Sequence, residues 1–114
     1  MGQSIIKNEF ILDMKHISPL KREIILLHIQ TKEFVHQEYS RQEVSSEILQ
    51  KWVLIELKRK AVTGTIYIDS GYVARKMMRH LEGNGYRVIR TGSSLDKIRL
   101  IERAWKEVNI KTKK

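Results

Sequence analysis

The feature that most constrains this chain is a change of hydrophobic period between Thr65 and Thr91. Thr65-Ile66-Tyr67-Ile68-Asp69 is β-branched and aromatic, the composition a strand favours. From Ser70, which can cap a helix, the period lengthens. A helix sets successive residues about 100° apart, which brings Val73, Ala74, Met77, Met78 and Leu81 into one apolar arc of about 140°. Gly83-Asn84-Gly85 ends that helix, because closing its last turn takes a left-handed residue that glycine or asparagine supplies at little cost. Tyr86 to Thr91 then reads as a second strand. A short helix between two strands matches a crossover with the strands parallel, the alternative being an antiparallel pairing through a third strand.

The rest of the chain is read around that unit. Residues 4–13 (SIIKNEFILD) fit neither period, so they give no element. Ser18-Pro19 has the form of a helix start, with a capping serine and a proline at the first helical position, and predicts a helix from Pro19 to about Phe34. Its centre, Ile24 to Ile29, is apolar almost all round, as a core helix or a subunit seam would be. Ser40-Arg41-Gln42-Glu43 has capping-box spacing and predicts a second helix over Arg41 to Lys60. On it Val44, Ile48, Trp52 and Ile55 share a face, with Leu49, Val53 and Leu57 beside them. Lys58-Arg59-Lys60 falls at its C-terminal end, where the helix dipole favours cations. A last helix follows Gly92-Ser93-Ser94, with Ile98, Ile101, Trp105 and Val108 inward and Arg99, Arg103 and Lys106 outward.

The expected fold is therefore α+β in a single small domain: two N-terminal helices (residues 1–60), a β-α-β-α unit (61–110) and a frayed tail (111–114). With 114 residues, such a domain buries about two thirds of the surface its unfolded chain exposes.

Charge divides the chain in two. Residues 1–57 carry seven Lys and Arg against eight Asp and Glu, while residues 58–114 carry 15 against five. A positive balance gathered in one half is the footprint of a polyanion binder. Arg75, Lys76 and Arg79 lie opposite the apolar arc of the middle helix, with Tyr72 among them. Phosphate pairing beside an aromatic plane suits nucleic acid. The expected function is thus a small basic nucleic-acid-binding protein, regulatory rather than enzymatic, with DNA ahead of RNA as its partner. Its contacts would be Tyr72, Arg75, Lys76, Arg79, Arg90, Arg99 and Arg103. A homodimer is a further expectation. The alternative is an adaptor or inhibitor docking on a partner protein through the Ile24–Ile29 helix or the Trp52 face.

The search for other chemistry is negative. The chain has no cysteine, hence no disulfide or thiolate site, and a cytoplasmic location is the economical expectation. The N-terminus lacks a signal peptide's apolar run, and no window is long and apolar enough for a membrane span. His16, His28, His36 and His80 have no metal-ligand spacing, and no glycine pattern spells a phosphate or dinucleotide loop, so neither metal nor cofactor is expected. Asp69, at the end of a strand, is where a nuclease carboxylate could sit, with Glu82 and Asp96 as the acidic candidates near it in sequence; a structural role suffices for Glu82 and Asp96.

The run from Ser70 to Arg90 resembles the recognition helix and wing strand of winged-helix regulators: a polar-capped helix with spaced basic residues ends at glycine and passes directly into a strand. The resemblance implies groove or backbone contacts for Arg75, Lys76 and Arg79. The strand immediately before Ser70 departs from that family, which has a short helix there.

Overall fold

The computed structural model describes residues 7–40, 42–68, 75–90 and 95–112. Three strands come first: β1 (Glu9–His16), β2 (Lys21–His28) and β3 (Phe34–Ser40). They are followed by α1 (Ser46–Lys60), β4 (Gly64–Ile68), α2 (Arg75–Gly83), β5 (Tyr86–Arg90) and α3 (Leu95–Thr112). The strands form one mixed sheet in the order β3-β2-β1-β4-β5. β1, β2 and β3 are antiparallel neighbours, whereas β1-β4 and β4-β5 are parallel.

This corrects the expected order. No pair of helices opens the chain: the Pro19–Phe34 segment is β2 with its flanking turns. Ile24-Ile25-Leu26-Leu27 is apolar on both parities because β2 is covered on both faces. Ile24 and Leu26 join one core cluster, Ile25 and Leu27 the other, and all four are nearly inaccessible. A short apolar run cannot be assigned by period alone, since a buried helix turn and a doubly covered strand look alike. Ser18-Pro19 serves a hairpin instead of a helix start. The Ile17 and Ser18 amides donate to the Lys21 carbonyl at 3.0 and 3.1 Å, and the Lys21 amide donates to Ser18 Oγ at 3.1 Å.

The capping box is displaced as well. Ser40 ends β3, its carbonyl accepting from Glu43 N and Val44 N. The helix waits for Ser45, whose Oγ accepts from Ile48 N at 3.3 Å. The buried stripe of α1 is Leu49, Val53 and Leu57, while Ile48 and Ile55 are half exposed. The basic triplet at the end of α1 is absorbed locally. Lys58 Nζ donates to the carbonyls of Val62 and Asn84 and lies 4.9 Å from the Tyr86 ring centre, Arg59 pairs with Glu56, and Lys60 pairs with Glu33 at 3.0 Å.

The crossover unit stands. β4 and β5 are parallel, with Ile66 opposite Val88, and Gly85 at φ 95° supplies the left-handed residue after α2. Because the basic helix is the crossover of a five-stranded sheet, the winged-helix likeness carries no fold. Helices cover both faces: α1 and α2 close over Phe10, Leu12, Ile66 and Ile68, while α3 lays Ile101, Ala104, Trp105 and Val108 on Ile11, Ile25 and Leu27. Among the described residues no helix is long and apolar enough to cross a membrane.

Two expectations test this packing. A Cβ on Gly64 would lie 2.6 Å from the Asn8 carbonyl oxygen, the same oxygen that accepts from Thr65 N in the β1-β4 pairing. Gly64→Ala should therefore destabilise the protein by about 1–3 kcal/mol in denaturant titration. The second concerns His28, which is buried with its ring nitrogens 2.8 Å from Thr31 Oγ1 and 3.1 Å from Asn8 Oδ1. Burial, then the Lys60 charge, lowers its pKa, with Glu33 opposing. An unfolded chain takes up this proton near the usual histidine value of about 6.5, before the folded chain does, so the His28 contribution is intact above that value and is lost as pH falls through the folded pKa. A pH series of thermal unfolding should show a shallower acid-side decline in His28→Gln than in wild type.

Candidate nucleic-acid interface at the carboxyl edge of the sheet

β1 and β4 lie side by side and parallel, and the chain leaves them in opposite directions: β1 leads to β2 and β3 on one edge, β4 through α2 to β5 on the other. In open sheets with parallel strands, ligands bind in the crevice beyond the carboxyl ends at such a switch point. Here that crevice is bordered by the second half of β1 and the end of β4.

Asp13 sits in that half of β1, opposite Ile25. Leu12 and Met14 belong to the cluster under α1 and α2, and Ile11 to the cluster under α3, so strand alternation puts Asp13 and Lys15 on the α3 face. Asp13 is half-buried and its Oδ2 accepts a 2.8 Å hydrogen bond from Trp105 Nε1. Lys15 Nζ lies 4.4 Å from the centre of the same indole, and the His36 ring meets it edge-on at 6.1 Å and 84°. His36 Nε2 is in turn 3.0 Å from Glu23 Oε1. At the other end of α3, Lys97 Nζ lies 4.3 Å from the centre of the Tyr67 ring on β4. The Tyr67 hydroxyl donates to Glu9 Oε2 at 2.7 Å, a bond that, with burial, raises its pKa. Thus α3 crosses from β4 to β1, and its first turn, which carries the exposed Asp96, stands beside β4. Asp69, the residue after Ile68, lies outside the described residues.

The expected contacts divide into two sets. Arg75 and Lys76 are exposed in the first turn of α2 and Arg79 one turn on. A crossover helix runs antiparallel to the strands it joins, so its first turn shares the carboxyl edge with Arg90, exposed at the end of β5. Arg90 has the parity of Tyr86, which is buried under α1 and α2. Arg99 and Arg103 are exposed on α3, three and seven positions beyond Asp96 and so on its stripe. One set is therefore on each face of the sheet, with the carboxyl edge between them, and no single continuous stripe exists. Tyr72 lies outside the described residues. Among the described residues, none of Arg75, Lys76, Arg79, Arg90, Arg99 and Arg103 is in ion-pair contact with a carboxylate, unlike Lys21, Arg59 and Lys60.

The carboxylates sort likewise. Glu82 is in the last turn of α2, away from the carboxyl edge. Asp96 is inside the first turn of α3. Asp13 is the residue that sequence reasoning missed, and the signal for it was a lone charge in the apolar run Phe10-Ile11-Leu12-Asp13-Met14. Among the described residues, no three His, Cys, Asp or Glu side chains come together as a metal site.

The alternative docking anchor is also revised. Ile24 to Leu27 are core and present no surface. Trp52 lines a groove of about 480 Å³ between β3 and α1, together with Tyr39, Val44, Ile48 and Leu49.

No family model and no curated protein matches this chain. Solved structures do match it. One is the catalytic core domain of BIV integrase, with a TM-score of 0.66 at 13% identity, covering 86% of this chain and 64% of that one. The present chain thus spans about two thirds of that domain's length, and the likeness is one of fold. It corrects the expectation of a non-enzymatic protein to this extent: the matched structure is itself a catalytic core domain.

If the α3 set contacts phosphates, Arg99→Ala with Arg103→Ala should make the slope of log affinity against log salt shallower by about 1.8, at roughly 0.9 per phosphate contact. Removing the ion-paired Lys21 should leave that slope unchanged in the same fluorescence titration.

Proposed function

We propose that this chain binds nucleic acid along the carboxyl edge of its sheet and acts on a phosphodiester bond there, with Asp13 and Asp96 as the working carboxylates. The observation that carries this reading is the placement of Asp13: a carboxylate on the central strand, at the switch point, on the face crossed by α3. The bases of α2, β5 and α3 that have no carboxylate partner among the described residues flank that edge and would supply the sequence-independent attraction a phosphate backbone requires. The matched structure is the catalytic core domain of an integrase, which supports catalysis over passive binding.

The donor chemistry of these residues suits a hard divalent cation. Both side chains are all-oxygen, and Asp13 keeps Oδ1 outside its bond to Trp105. Asp13 and Asp96 would hold such an ion, whose contribution would be to offset charge on the phosphoryl oxygens. The protein's own part is to place the strand: Arg75, Lys76 and Arg90 take the backbone on one side of the edge, Arg99 and Arg103 on the other.

The test uses labelled duplex, single-stranded and RNA probes across a salt series with Mg²⁺ present. Wild type should be retained and should cleave or join at least one probe. Asp13→Asn should keep salt-sensitive binding and lose the reaction to background. A wild-type chain that ignores all three probes would refute the reading, as would an Asp13→Asn variant with undiminished turnover.

A further inference from the structure

We infer that Trp105 is the positioning residue of this site: its indole N–H pins one oxygen of the Asp13 carboxylate and leaves the other directed to the ligand. The inference rests on the proposed role of Asp13.

Trp105 is 4% exposed on the inner stripe of α3 among Ile101, Ala104 and Val108. Packing there asks only for a large apolar ring, and a phenylalanine would meet most of that demand. The indole nitrogen is the part that packing does not explain. A buried indole N–H needs an acceptor, and here it takes a carboxylate instead of a carbonyl, at a charge-assisted distance of 2.8 Å. The ring itself is held from two more directions. Lys15 stands over its face at 4.4 Å, and His36, tied to Glu23 at 3.0 Å, meets it edge-on. A cation over the face draws density from the ring and strengthens the N–H as a donor. Contacts from β1 and β3 therefore fix a donor on α3, and that donor fixes a carboxylate on β1. Hydrogen bonds to ligating carboxylates set their orientation and are commonly worth on the order of 10–100-fold in cation affinity.

The experiment is a Mg²⁺ titration of the full chain, followed by calorimetry and by the indole N–H resonances in a ¹H–¹⁵N spectrum. The protein has two tryptophans, and Trp52, on α1 across the sheet, is the internal control. In wild type the Trp105 resonance should shift saturably with the calorimetric midpoint while that of Trp52 stays still. In Trp105→Phe the affinity should fall on the order of 10–100-fold. Should that variant fail to fold, the wild-type resonances decide alone. Equal affinity in folded Trp105→Phe, or a Trp105 resonance that does not respond while Mg²⁺ binds, overturns the positioning role and leaves the function reading intact. A wild-type chain that takes up no Mg²⁺ overturns both.

Discussion

β1 is the strand on which everything else hangs, because it is hydrogen-bonded on both sides and covered on both faces. Its antiparallel partner β2 can follow through a tight hairpin. Its parallel partner β4 cannot, and must arrive after a long excursion through β3 and α1. That one parallel pairing fixes the strand order, sends the two halves of the chain to opposite edges of the sheet, and opens the crevice between β1 and β4 at their carboxyl ends. Phe10 and Leu12 face α1 and α2 while Ile11 faces α3, so a slip of one residue in β1 would put Asp13 into the larger core. Register here sets both the packing and the position of the carboxylate.

Local chemistry was legible where one physical demand dominated. The crossover from Thr65 to Arg90 is an example: strand composition, a 3.6-residue stripe and a glycine with positive φ all agree, and among the described residues β4 begins one residue early, at Gly64, while β5 begins at Tyr86 as expected. The stripe of Ile101, Trp105 and Val108 is another. Legibility failed where the answer depended on what the rest of the chain covers. Ile24 to Leu27 are apolar because helices arrive on both faces, and those helices lie later in the sequence. The choice of Ser45 over Ser40 as a cap depends on β3 extending to Ser40 to pair with Lys21, again a long-range fact. Periodicity measures one-sided burial, and a central strand has none to measure.

The candidate site was half legible for a related reason. Spacing on a helix predicts which side chains face outward whatever the topology, so the exposure of Arg75, Arg79, Arg99 and Arg103 could be expected from sequence. Their grouping could not, because the two helices turn out to be on opposite sides of a sheet. One group of bases could be set apart from sequence: Lys58 and Lys60 fall at a helix C-terminus, where the dipole favours cations, and their ammonium groups are taken by carbonyls and by Glu33.

Asp13 shows why a departure from pattern carries information. A carboxylate on a central strand loses hydration, and a core built only for stability would place an apolar residue there, as Ile11 and Ile25 do on the same face. The chain instead places a carboxylate there and gives it an indole donor from α3. Such support lowers the cost of the charge without removing it, since one oxygen stays outside the bond to Trp105. With His28 on β2, Asp13 is one of the polar side chains that the sheet places where its neighbours are apolar, and the site proposed above depends on that placement.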